Sequence, residues 1–174
     1  MSRKKLYTVI IDSHEEWHSN IKNHISINRH LHIESCYNAS EFLYRLPHNP
    51  DIVIMDCEWM EMHPLILMQA IKEFNHETLL IMISAKENIE LVKEHTEHIH
   101  MEFIEKTDHF YQDLDSIIGS FVNDKFHLYL KMDEAIDQRK ELLEKFKDGL
   151  DGFIKDNSAS QILAEFWNSK KEAK

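Results

Sequence analysis

Five short apolar runs, separated by segments of helical spacing, constrain the fold of this chain more than any other feature. They read KLYTVII (5–11), LHIESC (31–36), DIVIM (51–55), TLLIMIS (78–84) and HMEFIE (100–105). KLYTVII, DIVIM and TLLIMIS are apolar almost throughout, as strands covered on both faces are. LHIESC alternates apolar and polar, like a strand nearer an edge. EEWHSNIKNHI (15–25) spaces Trp17, Ile21, His24 and Ile25 as a helix does. NASEFLYRL (38–46) offers a helix cap at Ser40 and stops before Pro47. Pro64 stands in the first turn of LILMQAIKEF (65–74). KENIELVKEH (86–95) sets Ile89 and Val92 on one helical face, and HFYQDLDSIIGSF (109–121) turns Phe110, Leu114, Ile117, Ile118 and Phe121 inward. Five strand–helix repeats imply a doubly wound α/β fold around a five-stranded parallel sheet.

Composition agrees. Hydrophobic residues make up 43% of the 174, enough for a core. Gly and Pro number 3 each, so helices can run long without interruption. Residues 1–122 carry 10 bases and 20 acids, net −10; residues 123–174 carry 10 and 11, net −1. Their sum, −11, opposes binding to nucleic acid or to anionic lipid. Cys36 and Cys57 follow no metal or redox spacing. The apolar run before Asp12 is too short for a signal core or a membrane span. A reducing cytoplasm is the expected location.

In a parallel sheet, chemistry gathers at the carboxyl ends of the strands. Those ends carry Asp12-Ser13, Asp56, Ser84 and Lys106. Two carboxylates at neighbouring strand ends repel each other, and a hard cation such as Mg2+ relieves that repulsion. A lysine ammonium holds a carboxylate ionised and can grip a phosphoryl oxygen. A serine hydroxyl can bond another. Phosphoryl transfer needs chiefly positioning and charge stabilisation, and this set supplies both.

These residues carry a resemblance. VIIDS, DIVIMD, MISA and FIEK, in that order and at those intervals, make residues 5 to about 122 similar to the receiver domain of bacterial response regulators. The resemblance implies a flavodoxin-like fold and a two-component phosphorelay role. It implies Asp56 as phosphoacceptor for a histidine kinase or phosphotransfer protein, and Asp12, Asp56 and the Glu58 carbonyl as Mg2+ ligands. It makes Ser84 and Lys106 the phosphoryl-binding pair and Phe103 the switch aromatic. The chain is then a signalling protein and not an enzyme. Glu58 stands where a covalent phosphohydrolase keeps its general acid, but no substrate cap is visible.

Three departures bear on that reading. The family's second metal-binding acid is Ser13 here, a neutral and weaker ligand. Thr107 replaces a frequent proline. The loop after Asp56 is bulky, with Trp59, Met60 and Met62, and it places Glu58, which repels a phosphoryl group, two residues from the acceptor. Ser13, Glu58 and Thr107 support an alternative, a pseudo-receiver serving as a phosphorylation-independent scaffold. His95, His98 and His100 cross from a helix end into a strand, which scatters their rings, so they read as solvated and not as ligands.

The tail divides into 123–156 and 157–174. Sevens counted from Val122 give Val122, Tyr129, Ile136, Leu143 and Leu150. Their companions are Ile118, Lys125, Met132, Arg139, Phe146 and Phe153. This heptad seam predicts a coiled-coil-like helix that wants a partner, most simply a second copy of the chain; folding back on its own receiver is the alternative. Gly149 and Gly152 weaken the helix before a polar break. Ser158 and Gln161 fit a capping box for a short amphipathic helix bearing Ile162, Leu163, Phe166 and Trp167. No helix-turn-helix with a basic recognition helix is visible, so no nucleic-acid output is expected.

Overall fold

The computed structural model describes residues 5–56, 64–85, 101–155 and 161. Five parallel strands, β1 (Leu6–Ile11), β2 (Leu31–Cys36), β3 (Ile52–Asp56), β4 (Leu79–Ser84) and β5 (Glu102–Glu105), lie in the order β2-β1-β3-β4-β5. The helices are α1 (Glu15–Ile25), α2 (Ala39–Arg45), α3 (Pro64–Phe74) and α4 (Phe110–Lys155). The expected helix over 86–95, the short helix over 157–174 and the loop 57–63 lie outside the described residues.

Strand identity follows from apolar content. β3 is buried throughout, and β4 is buried except at its first residue. β2 is partly exposed and forms an edge, as its alternation predicts. Val9, Val53, Leu80 and Met82 meet Phe42, Leu67, Met68 and Ile71 in one core. Full burial of a Leu, Ile or Phe contributes about 1.5–3 kcal/mol each.

Several boundaries differ from expectation, and two of them have a local cause. The cap of α2 is Asn38 and not Ser40. Asn38 Oδ1 accepts the Glu41 N–H at 2.7 Å, and Glu41 returns its carboxylate to the Tyr37 N–H at 2.9 Å, a reciprocal arrangement that Ser40 lies too far along to make. β3 starts and ends one residue late. Asp51 meets β1 ahead of the strand, its carboxylate accepting the Tyr7 N–H at 2.8 Å. The strand therefore carries Asp56 as its last residue instead of leaving it in the loop.

The described chain divides into two compact units, 1–124 and 125–174. In the first, Phe110, Leu114, Ile118 and Val122 bury one face of α4. Ile118 and Val122 are thus core residues, which corrects their place in the expected seam. In the second, α4 continues through Gly149 and Gly152 to Lys155, so neither glycine ends it. Lys140–Asp137 (3.1 Å) and Lys145–Glu141 (2.8 Å) pairs support it along its exposed sides.

Candidate functional site

The order β2-β1-β3 reverses direction at β1, and the crevice beyond the carboxyl ends of β1 and β3 is where such sheets bind ligands. Asp12 and Asp56 stand at those two ends. Asp12 follows β1, its N–H donating to the Cys36 carbonyl at 3.1 Å. Its Oδ1 accepts the His14 N–H at 2.8 Å and lies 3.4 Å from His14 Nδ1. Asp12 Oδ2 is buried with no hydrogen-bond partner among the described residues. Burial raises the Asp12 carboxyl above its ordinary pKa; the His14 amide opposes this, and the charge of Asp56 adds to it.

Asp56 is buried at the tip of β3, and Lys106 Nζ reaches its Oδ2 at 2.7 Å. Lys106 follows β5 directly, and its N–H donates to the Ser84 carbonyl at 3.2 Å. That bond fixes the lysine beside the end of β4. Ser84 is fully buried, and its Oγ has no hydrogen-bond partner among the described residues. Asp12, Asp56, Ser84 and Lys106 thus share one rim. Phe103, opposite Met82 in the sheet, is half-buried against the core.

Residues of α1 complete the site, and sequence reasoning missed them. A cavity of about 530 Å³ is lined by His14, Glu16, Trp17, Asn20, Asp56 and Lys106. The Trp17 ring lies 5.6 Å from Lys106 Nζ and 5.1 Å from the Phe110 ring, so the ammonium stands between an aromatic face and a carboxylate. The available signal was the shortness of the β1–α1 connection, which brings the first turns of α1 to the rim. His18 is a second omission. It is buried, with Nε2 2.8 Å from Ser35 Oγ, and Lys22 Nζ donates to the same hydroxyl at 3.1 Å.

The departures have structural counterparts. Ser13 is exposed. Thr107 Oγ1 accepts the His109 N–H at 3.3 Å and the Thr107 carbonyl accepts that of Phe110 at 3.1 Å, so the threonine sets the turn that leads into α4 where a proline is frequent. Glu58, Cys57, Trp59, Met60, Met62 and the histidines at 95, 98 and 100 lie outside the described residues. Among those described, no three His, Cys, Asp or Glu side chains form a metal-binding group. The two carboxylates, one with an unpartnered buried oxygen, still fit a hard divalent cation that completes its shell with carbonyl and water oxygens.

A family model, the response regulator receiver domain, matches residues 8–115. The chain belongs to that family. Receiver domains accept a phosphoryl group in two-component signalling. No curated protein matches this receiver. Among solved structures it is similar to a response regulator receiver domain protein from Clostridium thermocellum, with 20% identity, TM-score 0.62, and coverage of 71% of this chain and 98% of that one. The signal receiver domain of an HD domain-containing protein from Pseudomonas fluorescens matches at 16% identity, TM-score 0.60, with coverage of 71% and 99%. That of a putative LuxO repressor protein from Vibrio parahaemolyticus matches at 12% identity, TM-score 0.62, with coverage of 72% and 96%. At such identities the likeness concerns the fold. The family match stops inside α4, and the receiver's helix runs on to Lys155. Among the described residues no helix is long and apolar enough to cross a membrane.

Proposed function

We propose that Asp56 accepts a phosphoryl group from a phosphohistidine on a histidine kinase or phosphotransfer protein, and that association of two chains through α4 is the output. The observation that carries this is the placement of Asp56 at the tip of β3, beside the Asp12 charge and 2.7 Å from Lys106 Nζ. In the transfer, a carboxylate oxygen of Asp56 bonds to phosphorus, the P–N bond breaks, and its electron pair leaves with the donor imidazole. Lys106 pairs with Asp56 beforehand and with the phosphoryl group afterwards. The Ser84 hydroxyl donates to a phosphoryl oxygen. Asp12, Asp56 and the Glu58 carbonyl would hold Mg2+, which neutralises charge on the transferred group. Phe103 is the proposed aromatic switch. The added charge acts where Lys106 and Thr107 lead into α4, so it biases the helix that carries the output.

The test is incubation with a small phosphodonor and Mg2+, followed by intact mass. A single adduct of one phosphoryl group, absent in Asp56→Asn, is expected. No Asp56-dependent adduct with any divalent metal defeats the proposal. The exposed Ser13 in place of a metal-binding acid favours a second reading, a phosphorylation-independent scaffold. A site that binds Mg2+ only above tens of millimolar supports that reading.

A further inference from the structure

Among the described residues, the second unit presents an exposed apolar face on α4. Met132, Ile136, Leu142, Leu143, Phe146 and Leu150 are each 45–69% exposed. At 3.6 residues per turn they fall within an arc of roughly 120°. Leu130, also exposed, lies off this arc. Exposed large apolar side chains gathered on one helix face mark an interaction face. Arg139 falls in the middle of the arc and is exposed.

Arg139 decides the orientation of a pair. A parallel pair of identical helices sets each residue level with its equivalent. Arg139 would then oppose Arg139 of the partner subunit within the apolar seam, an unfavourable meeting of like charges. An antiparallel pair offsets the two arginines by four residues, about 6 Å along the axis. With the two-fold axis level with Glu141, Ile136 faces Phe146 of the partner subunit, Leu150 faces Met132 of the partner subunit, and Arg139 packs its stem on Leu143 of the partner subunit. Leu142 meets Leu142 of the partner subunit at the axis. On one flank Asp133 comes within two residues, about 3 Å along the axis, of Lys147 of the partner subunit, and the symmetry makes that attractive pair twice. Between the two pairs Lys140, itself paired with Asp137, meets its own equivalent. On the other flank Gly149 comes within about 3 Å along the axis of Ala135 of the partner subunit.

Gly149 is compatible with this register. A mid-helix glycine costs about 1 kcal/mol relative to alanine. A Cβ added there would meet nothing within 4 Å among the described residues, as at Gly119 and Gly152. A close approach to Ala135 of a second copy suits Gly149. We infer that α4 pairs with a second copy of this chain in antiparallel orientation about Glu141, with Arg139 offset from its equivalent and Asp133 paired to Lys147. The inference rests on the association reading above and specifies its geometry.

The experiment uses the full chain carrying Cys57→Ser and His127→Cys. His127 is exposed on α4, and buried Cys36 resists labelling. Light scattering at micromolar concentration and the spin–spin distance between labels are measured together. A dimer with labels about 40 Å apart is expected, because His127 comes level with residue 155 of the second copy and each residue rises 1.5 Å. A dimer with labels about 10–20 Å apart places the helices parallel and overturns the orientation while sparing association. A monomer at every concentration, as when the chain's own last segment covers the face, overturns both. As a second check, Asp133→Lys weakens the dimer several-fold and adding Lys147→Asp restores it. Failure of the double variant to recover also overturns the antiparallel register.

Discussion

Lys106 Nζ lies 2.7 Å from Oδ2 of Asp56, so a side chain from the end of β5 neutralises one from the end of β3 across the end of β4. The Asp56 side chain is 1% exposed and that of Lys106 24%. Removing the cation leaves a buried carboxylate with its principal charge partner gone. Lys106→Met is therefore expected to destabilise the receiver by about 2 kcal/mol, below the range for fully buried pairs because the lysine keeps some solvent. Asp56→Asn in the same chain should recover most of that loss. Urea unfolding of both single variants and the double variant measures the coupling, and additive effects show that the pair contributes nothing to the fold.

Asp12 has the opposite problem, since burial and the charge of Asp56 both disfavour its carboxylate. With a chelator present, Asp12→Asn is expected to stabilise the receiver by on the order of 1 kcal/mol. The same variant should lose the rise in Tm that Mg2+ gives the wild type, because a ligand that binds only the folded state stabilises it. Thermal melts with and without Mg2+ check both parts. A variant less stable than wild type in chelator contradicts the repulsion argument.

The strands and the rim were legible because a parallel sheet buried on both faces leaves long apolar runs that stop abruptly at polar residues. Asp12, Asp56, Ser84 and Lys106 each follow or close such a run, and parallel register carries all four to one end. What was not legible depended on contacts between distant segments. Trp17 has helical spacing and reads as core, yet it also covers Lys106, which is 89 positions away (106 − 17). His18 carries no signal of its own in the sequence, yet Ser35 on β2 and the ring of Tyr37, 4.9 Å away, bury it. Asn38 was passed over for Ser40 because either residue type caps helices; the return bond from Glu41 decides between them. The seam of α4 was visible as a heptad, but where it leaves the core was not, since Val122 and Leu150 look alike in sequence.

Cys36 ends β2 fully buried, and burial pushes its thiol up to about 11. The thiolate is the reactive form, so at pH 8 both access and ionisation protect it. In a Cys57→Ser chain, a thiol-specific chromogenic reagent should find no reactive group within minutes under native conditions and one in denaturant. Fast native labelling would place Cys36 in an open segment.

His18 supplies the pH dependence. Burial lowers its pKa below 6.5, and the neighbouring Asp12 opposes this only in part. In the unfolded chain the imidazole takes up a proton as pH falls through about 6.5, while the folded ring stays neutral to lower pH. The unfolded state then binds more protons, so stability declines as pH falls from 6.5 toward the folded pKa and is unaffected by this group above it. His18→Gln keeps a polar group that can face Ser35 Oγ but cannot titrate. It should flatten the decline below pH 6.5 by up to about 1.4 kcal/mol per pH unit, the limit for one proton. Urea unfolding of wild type and variant at pH 5.0, 6.0 and 7.5 reads this as a difference in slope, and parallel curves would mean that the folded ring protonates as readily as the unfolded one.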